Sequence, residues 1–302
     1  MTYLLKVRNL SIISRNFKIL DDINFTISKT SGTVGLIGPN GAGKTTLING
    51  ILGQIQPTKG DVFVNLEKIG FCPDVPNFEP FLTPLEILEQ TLRLRGIYCK
   101  DDTKKMILLL KEVDLIEHKD KLVSHFSRGM KQRLGIASAL ILEPDIIFLD
   151  EPTSALDPFG KKDIYNLIDK ISKDRVVILS SHNLNEIENN VEDLIVLNKG
   201  QLIFEGNIKE FTKNNRDWYN LEFINKSVAK TFYELVLRNN INAMKINEQK
   251  IRFDSAEIEN VIQLLAPFSR HITKLDVNKF SLNEAFEWHI NEIIEGGAVT
   301  ND

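Results

Sequence analysis

Short apolar runs alternate with amphipathic stretches over the first two-thirds of the chain. Residues 146–149 and 176–179 are uninterrupted apolar runs. Runs of this length are typical of strands that are buried on both faces of a parallel sheet. Residues 85–94 and 127–142 instead repeat apolar positions at helical spacing. The pattern predicts an α/β fold with a helical subdomain inserted at about residues 75–143.

The pattern changes at residues 211–216, a polar stretch typical of a linker. The order of elements beyond it is strand-helix-strand-strand-helix-strand, which predicts a small α+β domain of the split βαβ, ferredoxin-like type. We therefore expect two domains, 1–214 and 215–302, with a disordered tail at 296–302. The predicted C-terminal elements are strands at 218–224, 241–246, 250–253 and 272–277, helices at 228–237 and 258–265, and a last helix at 282–294.

Composition and charge narrow the class of protein. The chain has 302 residues and a formal net charge of −4 at pH 7, whereas proteins that mainly bind nucleic acid usually carry a basic excess. The longest near-continuous apolar stretch, residues 134–142, is well short of the ~18 residues that span a bilayer. Residues 1–8 are charged too early for a signal peptide. Cys72 and Cys99 form no CxxC pair, which indicates a reducing cytoplasm and no structural zinc.

A glycine-rich turn follows the short apolar run 33–37 and opens a predicted helix. Residues 38–45 fit the pattern G-x-x-x-x-G-K-[ST]. Glycines let backbone N–H groups face a polyphosphate, and the start of a helix adds partial positive charge. We predict that Lys44 reaches the β- and γ-phosphates and that Thr45 ligates Mg²⁺. The candidate phosphate-binding residues are Gly38, Pro39, Asn40, Gly41, Ala42, Gly43, Lys44, Thr45 and Thr46.

A second motif is a pair of carboxylates at the end of the run 146–149, Asp150 and Glu151. Taken alone, this pair of carboxylates would also fit the N-cap of a helix. With a phosphate loop upstream, we predict that Asp150 holds Mg²⁺ and that Glu151 polarises an attacking water. A GTPase would carry Asn-Lys-x-Asp, whereas residues 198–201 read Asn-Lys-Gly-Gln. The predicted nucleotide is therefore ATP.

Residues 126–134, between these motifs, read Phe-Ser-Arg-Gly-Met-Lys-Gln-Arg-Leu. With this segment the sequence resembles the ATP-binding-cassette (ABC) ATPases over about residues 3–212, which implies a P-loop cassette with a mixed sheet. The resemblance implies that Ser127 and Gly129 contact the γ-phosphate held by a second copy of the chain. A capped helix start is an anion site on physical grounds as well.

Two further segments extend the resemblance. Residues 154–157 are similar to the loop that crosses the dimer interface in that family. His182 follows the run 176–179 and is similar to the family's switch histidine, which contacts the γ-phosphate. The catalytic residues implied by the resemblance are Glu151, His182 and Lys44.

The sequence departs from the family's pattern at three places. Asp74 stands where the family usually has Gln; it is a candidate contact to Mg²⁺ or water, although it adds negative charge beside phosphates. Arg128 and Met130 replace Gly and Gln in the signature loop, and Arg128 keeps the loop cationic. Ser14 falls where an adenine-stacking aromatic residue is expected, and Phe17 is the nearest aromatic candidate.

The function implied by the resemblance is that of an ATP-hydrolysing transporter subunit. It would bind Mg·ATP at a homodimer interface and drive separate membrane subunits, with residues 80–82 as candidate contacts, at the cytoplasmic face of the cell membrane. Residues 279–286 and the signature loop look like the exporter branch, which contains antibiotic, lantibiotic and multidrug ATPases. The alternatives are a soluble ABC ATPase without transport, an importer subunit, and an ATP-binding module without turnover. No nucleic-acid partner is expected.

Overall fold

The computed structural model describes residues 3–15, 17–28, 31–154, 156–212, 218–278 and 281–297. The chain divides into two compact units, Met1–Ile208 and Lys209–Asp302. Most of the predicted linker and of the predicted disordered tail lies outside the described residues.

The first unit contains strands β1–β9 and helices α1–α6. The strands are β1 (Leu5–Ser14), β2 (Phe17–Ile27), β3 (Gly32–Ile37), β4 (Lys59–Val64), β5 (Ile69–Cys72), β6 (Ile146–Leu149), β7 (Val176–Ser181), β8 (Asp193–Asn198) and β9 (Gln201–Asn207). The helices are α1 (Lys44–Ile51), α2 (Pro84–Leu94), α3 (Asp102–Glu112), α4 (Arg128–Leu140), α5 (Pro158–Ile171) and α6 (Leu184–Glu188).

The central sheet of the first unit has six strands in the order β5-β6-β7-β3-β8-β9. The first five of these pair in parallel, and β9 pairs antiparallel with β8. All residues of β3, β6 and β7 are buried, as expected for strands covered on both faces. The carboxyl ends of parallel strands share one edge of the sheet, so the loops after β3, β6 and β7 meet there.

A second, antiparallel sheet has the order β2-β1-β4. One core cluster contains buried residues of both sheets and of α1, among them Leu10, Leu47 and Phe148. The two sheets therefore share one hydrophobic core, which holds α1 and the loop before it in place. The mixed-sheet α/β cassette predicted from the sequence is confirmed.

The helical segment between β5 and β6 contains α2, α3 and α4, as predicted. Helix α2 begins with Thr83 as its N-cap and a reciprocal hydrogen bond between Thr83 and Glu86, which is a capping box. Helix α4 begins after Ser127, whose side-chain oxygen accepts a hydrogen bond from the Met130 N–H at 3.3 Å. The predicted N-cap at Ser127 is confirmed.

The second unit has its own sheet and core. Its elements are α7 (Ile208–Thr212) at the boundary, β10 (Trp218–Phe223), α8 (Lys226–Arg238), β11 (Ala243–Lys245), β12 (Lys250–Asp254), α9 (Ile258–Leu265), β13 (Ile272–Asn278) and α10 (Leu282–Gly297). The strand order is β11-β12-β10-β13, with every pair antiparallel. Phe223, Phe232 and Phe253 are fully buried in its core. This is the predicted split βαβ fold.

Candidate functional site

The loop between β3 and α1 has a backbone that requires glycine at specific positions. Gly38 and Gly43 have φ angles of 154° and 105°. A Cβ at Gly38 would overlap the backbone carbonyl of Leu197, and one at Gly43 would lie 2.6 Å from Leu20 Cδ2. The loop is therefore held close to the strands beside it, with its backbone turned around the start of α1. The first N–H groups of α1 have no partner within the helix, which leaves them available to an anion.

Lys44 is the first residue of α1, and its side chain folds back across the loop. Its Nζ donates hydrogen bonds to Gly38 O at 2.7 Å and Pro39 O at 3.4 Å, and it lies 3.9 Å from Glu151 Oε1. Burial lowers the pKa of Lys44, while Glu151 and Asp150 oppose that shift. A cation with little water around it gains strongly from an incoming phosphate.

Asp150 follows β6 and is fixed through both carboxylate oxygens. Thr45 Oγ1 donates to Asp150 Oδ2 at 3.1 Å, and Ser180 Oγ donates to Asp150 Oδ1 at 2.5 Å. A hydroxyl and a carboxylate oxygen at this separation are the oxygen ligands that Mg²⁺ prefers beside substrate phosphates. The donor set of Thr45 and Asp150 therefore fits the predicted ion, and within the described chain no group of three His, Cys, Asp or Glu side chains forms an all-protein metal site.

Glu151 lies beside the phosphate loop in a strained backbone conformation. Its φ angle is 48°, which is uncommon for a residue with a side chain. Its N–H donates to Ser180 Oγ at 2.9 Å, and its Oε2 lies 2.9 Å from His182 Nδ1. The structure therefore brings Lys44, Glu151 and His182 together, although they come from three separate segments of the chain.

Ser180 is a site residue that the sequence analysis did not single out. It lies on β7, two residues before His182, and its hydroxyl donates to Asp150 and accepts from the Glu151 N–H. The sequence signal for it was a hydroxyl directly after the apolar run 176–179, but its role depends on the pairing of β6 with β7, which the sequence does not display.

Asp74, predicted as a contact to Mg²⁺ or water, lies in a polar cluster with two other segments. Its Oδ1 accepts a hydrogen bond from Ser154 Oγ and lies 3.4 Å from Arg128 Nη2. Arg128 Nη2 also donates to Ser154 Oγ at 3.0 Å. Asp74 and Arg128, which both depart from the family's pattern, thus pair with each other. The assignment of Asp74 as a metal ligand stays a prediction.

Ser127 and Gly129 lie in a second depression, of about 510 Å³, that is distinct from the phosphate loop. No described residue lines both depressions. Asp157, in the segment similar to the interface loop, accepts a hydrogen bond from the Gly160 N–H at 2.7 Å and caps α5. Residue 155 of that segment lies outside the described residues. The residues predicted to bind nucleotide therefore lie on two separate surfaces of one chain.

The adenine-stacking residue predicted at Phe17 lies on β2 with 76% of its surface exposed. Ile19, two residues later on the same strand, lines the depression of about 300 Å³ at the phosphate loop together with Asn40, Gly41, Ala42, Gly43, Lys44, Thr45, Thr46 and Glu151. Residues two apart on a strand face the same side. Phe17 therefore stays a candidate, and Ile19 is a lining residue that the search for an aromatic side chain missed.

The model of the ABC transporter family matches residues 20–154. The uncharacterized ABC transporter ATP-binding protein YhcH of Bacillus subtilis (strain 168) is 32% identical over 299 residues, which cover 95% of this chain and 95% of that protein. The chain belongs to the family of ABC transporter ATP-binding proteins. As an ABC ATP-binding subunit it is an ATPase, so the predicted nucleotide and enzyme class are confirmed.

Another relative of this ABC protein is the bacitracin transport ATP-binding protein BcrA of Bacillus licheniformis, 36% identical over 247 residues, with 78% of this chain and 79% of that protein covered. Among solved structures, the ATP-binding subunit of an ABC transporter aligns with a TM-score of 0.63 at 28% identity, covering 70% of this chain and 92% of that one. An ATP-binding cassette in its ADP conformation aligns with a TM-score of 0.63 at 25% identity and covers 70% of this chain and 93% of that one. Among the helices described here, none is long and apolar enough to cross a membrane.

Proposed function

We propose that this chain is the ATPase subunit of an exporter, in which two copies clamp two Mg·ATP and drive separate membrane subunits from the cytoplasmic face of the membrane. The observation that carries the proposal is the convergence of Lys44, Glu151 and His182 at one edge of the central sheet. Relatives named for bacitracin transport in Bacillus licheniformis and Enterococcus faecalis support the exporter branch.

In this proposal each side chain at the loop has a separate task. Lys44 binds the β- and γ-phosphates, and Thr45 and Asp150 hold Mg²⁺. When bound, the ion neutralises charge on the phosphate oxygens. Glu151 accepts a hydrogen bond from the attacking water and takes up its proton. His182, hydrogen-bonded to Glu151, orients that carboxylate and faces the γ-phosphate.

The proposed dimer is supported by the separation of the predicted nucleotide-binding residues into two surfaces. Ser127 and Gly129 stand at the start of α4, a 13-residue helix whose first N–H groups suit an anion. We assign them to the γ-phosphate bound by the phosphate loop of a second copy. ATP then stabilises the closed dimer by contacts that the open state lacks, and hydrolysis removes those contacts.

The domains are assigned as an ATPase domain at residues 1–214 and an accessory domain at residues 215–302. The accessory domain has its own hydrophobic core, and we place membrane-subunit contacts at residues 80–82 of the ATPase domain. The role in transport is tested by isolating the chain from its native membrane. Recovery together with a polytopic membrane protein supports the exporter assignment, whereas recovery of an active ATPase that binds no membrane protein points to an ATPase without transport.

The experiment that tests the site compares Lys44→Ala with Glu151→Gln. Loss of the Lys44 cation weakens ATP binding itself. Glu151→Gln keeps the shape of the side chain but removes the base, so ATP binds and turnover falls by about 10²–10⁴-fold. Isothermal titration calorimetry and a phosphate-release assay measure the two effects. Normal turnover in Glu151→Gln would show that Glu151 is not the base.

A further inference from the structure

Glu186 on α6 is a partly buried carboxylate that the proposed chemistry does not use. Its side chain is 18% exposed. Lys161 Nζ and Asn183 Nδ2 donate to its Oε1 at 2.6 and 2.8 Å. Thr153 Oγ1 and Tyr165 OH donate to its Oε2 at 2.9 and 3.2 Å. Four donors from three segments of the chain thus converge on one carboxylate.

The segments that Glu186 joins are those that carry the reacting groups. Thr153 is two residues after Glu151, and Asn183 directly follows His182. Glu151 and His182 are themselves joined by the 2.9 Å contact between Oε2 and Nδ1. The carboxylate of Glu186 therefore fixes the position of the loop that carries Glu151 relative to the loop that carries His182.

Helix α5 supplies two of the four donors. Lys161 and Tyr165 lie one turn apart on α5, and both donate to Glu186. Burial opposes the charged form of Glu186, but the hydrogen bonds from Lys161 and Thr153 outweigh it, and its pKa is lowered. Burial raises the pKa of Tyr165, so its hydroxyl stays a donor. The network is therefore fully formed near neutral pH.

We propose that Glu186 is a positioning residue for ATP hydrolysis, which anchors the Glu151 and His182 loops to α5. The inference rests on the proposed function, because it assumes that Glu151 is the base. It predicts a loss of turnover without a loss of ATP affinity, since Glu186 touches neither the phosphate loop nor Lys44 in the described contacts.

The two substitutions at this position have different expected effects. Glu186→Ala removes all four acceptor contacts and frees both loops. Glu186→Gln keeps one oxygen for Lys161 and Asn183, and its amide donates to the hydroxyls of Thr153 and Tyr165, which are able to accept. Turnover is therefore expected to be highest in the unsubstituted protein, lower in Glu186→Gln and lowest in Glu186→Ala.

The first measurement is kcat and KM for ATP, with the ATP bound per chain measured alongside so that kcat refers to folded sites. Glu186→Ala is expected to lower kcat about 10- to 100-fold, the effect of misplacing a reacting group by about 1 Å, with KM unchanged. If Glu186→Ala binds less than one ATP per chain, Thr153→Val replaces it, because that change removes one hydrogen bond and keeps the volume. Unchanged kcat in the tested variant overturns the proposal.

The matched control is Glu112→Ala. Glu112 pairs with Lys170 at 3.7 Å, so this change also removes a Glu–Lys ion pair to α5, but away from the site. It is expected to leave kcat unchanged. A drop in kcat equal to that of Glu186→Ala would show that any weakening of α5 slows turnover, and it would overturn the specific role of Glu186.

The last measurement is a double-mutant cycle with Glu151→Gln. If Glu186 acts by positioning Glu151, the double variant turns over no more slowly than Glu151→Gln alone. Independent, multiplicative losses overturn the inference and leave the proposed function intact. If Glu151→Gln retains normal turnover, the proposed function fails by itself, and any loss in Glu186→Ala cannot be assigned to positioning the base.

Discussion

At the scale of single residues, one hydroxyl joins the two acidic groups of the site. Ser180 Oγ donates to Asp150 Oδ1 at 2.5 Å and accepts from the Glu151 N–H at 2.9 Å. The same contact therefore orients the proposed metal ligand and holds the strained backbone of the proposed base. Strain of this kind persists only where surrounding contacts fix it.

We predict that Ser180→Ala both slows hydrolysis and destabilises the fold. A hydrogen bond to a charged group contributes about 1.5–3 kcal/mol to stability, and its loss also frees Asp150 and Glu151. Urea unfolding and an ATPase assay measure the two effects. Ser172→Ala, which removes a hydroxyl bond to Asp169 O at 3.0 Å, is the control and should change stability slightly and ATPase activity not at all. Normal activity in Ser180→Ala would contradict the role given to it.

A second prediction concerns the crowded glycine at the start of the phosphate loop. Gly38→Ala places a Cβ against the Leu197 carbonyl, and overpacking of this kind costs about 1–3 kcal/mol in addition to backbone strain. Gly53, with a φ of 72° and no atom within 4 Å of an added Cβ, is the matched control. Thermal unfolding without nucleotide should show a clearly larger loss for Gly38→Ala than for Gly53→Ala. Equal losses would mean that the close approach has no energetic role.

At the scale of elements, three segments meet where Asp74, Arg128 and Ser154 contact one another. Asp74 follows β5, Arg128 is the first residue of α4, and Ser154 lies between β6 and α5. The charge pair thus links the helical subdomain to the segment that follows the acidic strand.

We predict that exchanging both charges of the Asp74–Arg128 pair destabilises the fold less than reversing either charge alone. Asp74→Arg and Arg128→Asp each place like charges together, whereas the double exchange restores the attraction. Because the two side chains are 43% and 45% exposed, the coupling energy should be about 0.5–1 kcal/mol. A double-mutant cycle by urea unfolding measures it. A coupling of zero would show that the contact does not hold the segments together.

The sequence predicts elements well where the determining signal is local. The buried strands β6 and β7 and the helix capped by Ser127 lie where their patterns indicate. The first residues of β2 lack such a signal, because the strand begins at Phe17, before the alternating apolar positions at 23–27. Asp21 and Asp22 interrupt the apolar pattern there, and Asp22 has a φ of 52°. Pairing with β1 maintains the strand, and pairing is not a local signal.

The same distinction applies to the site. The phosphate loop is one contiguous segment, so its candidate residues could be named from the sequence, and their contact with phosphate stays a prediction. Glu186 and Ser180 were not, because their partners come from neighbouring strands and from α5. The pairing of Asp74 with Arg128, residues far apart in the chain, was equally hidden. What the sequence lacks in each case is the strand order, which decides which loops become neighbours.

At the scale of the whole molecule, the two surfaces that we propose as halves of a nucleotide site lie apart on the first unit. The phosphate loop and the depression at Ser127 share no described lining residue. In the proposed dimer, a second copy brings its α4 to the phosphate loop and completes both sites at once. The proposal therefore predicts a closed, symmetric assembly whose stability depends on the triphosphate.

The most direct test is the molar mass in solution of Glu151→Gln, measured by light scattering with and without Mg·ATP. The account predicts the 34.4 kDa monomer without nucleotide and about twice that mass with ATP. Adding Ser127→Asp to the variant keeps a good N-cap for α4 but repels the phosphate, so the mass should return to that of the monomer. A mass that ATP does not change, or a dimer that Ser127→Asp leaves intact, would contradict the ATP-held dimer.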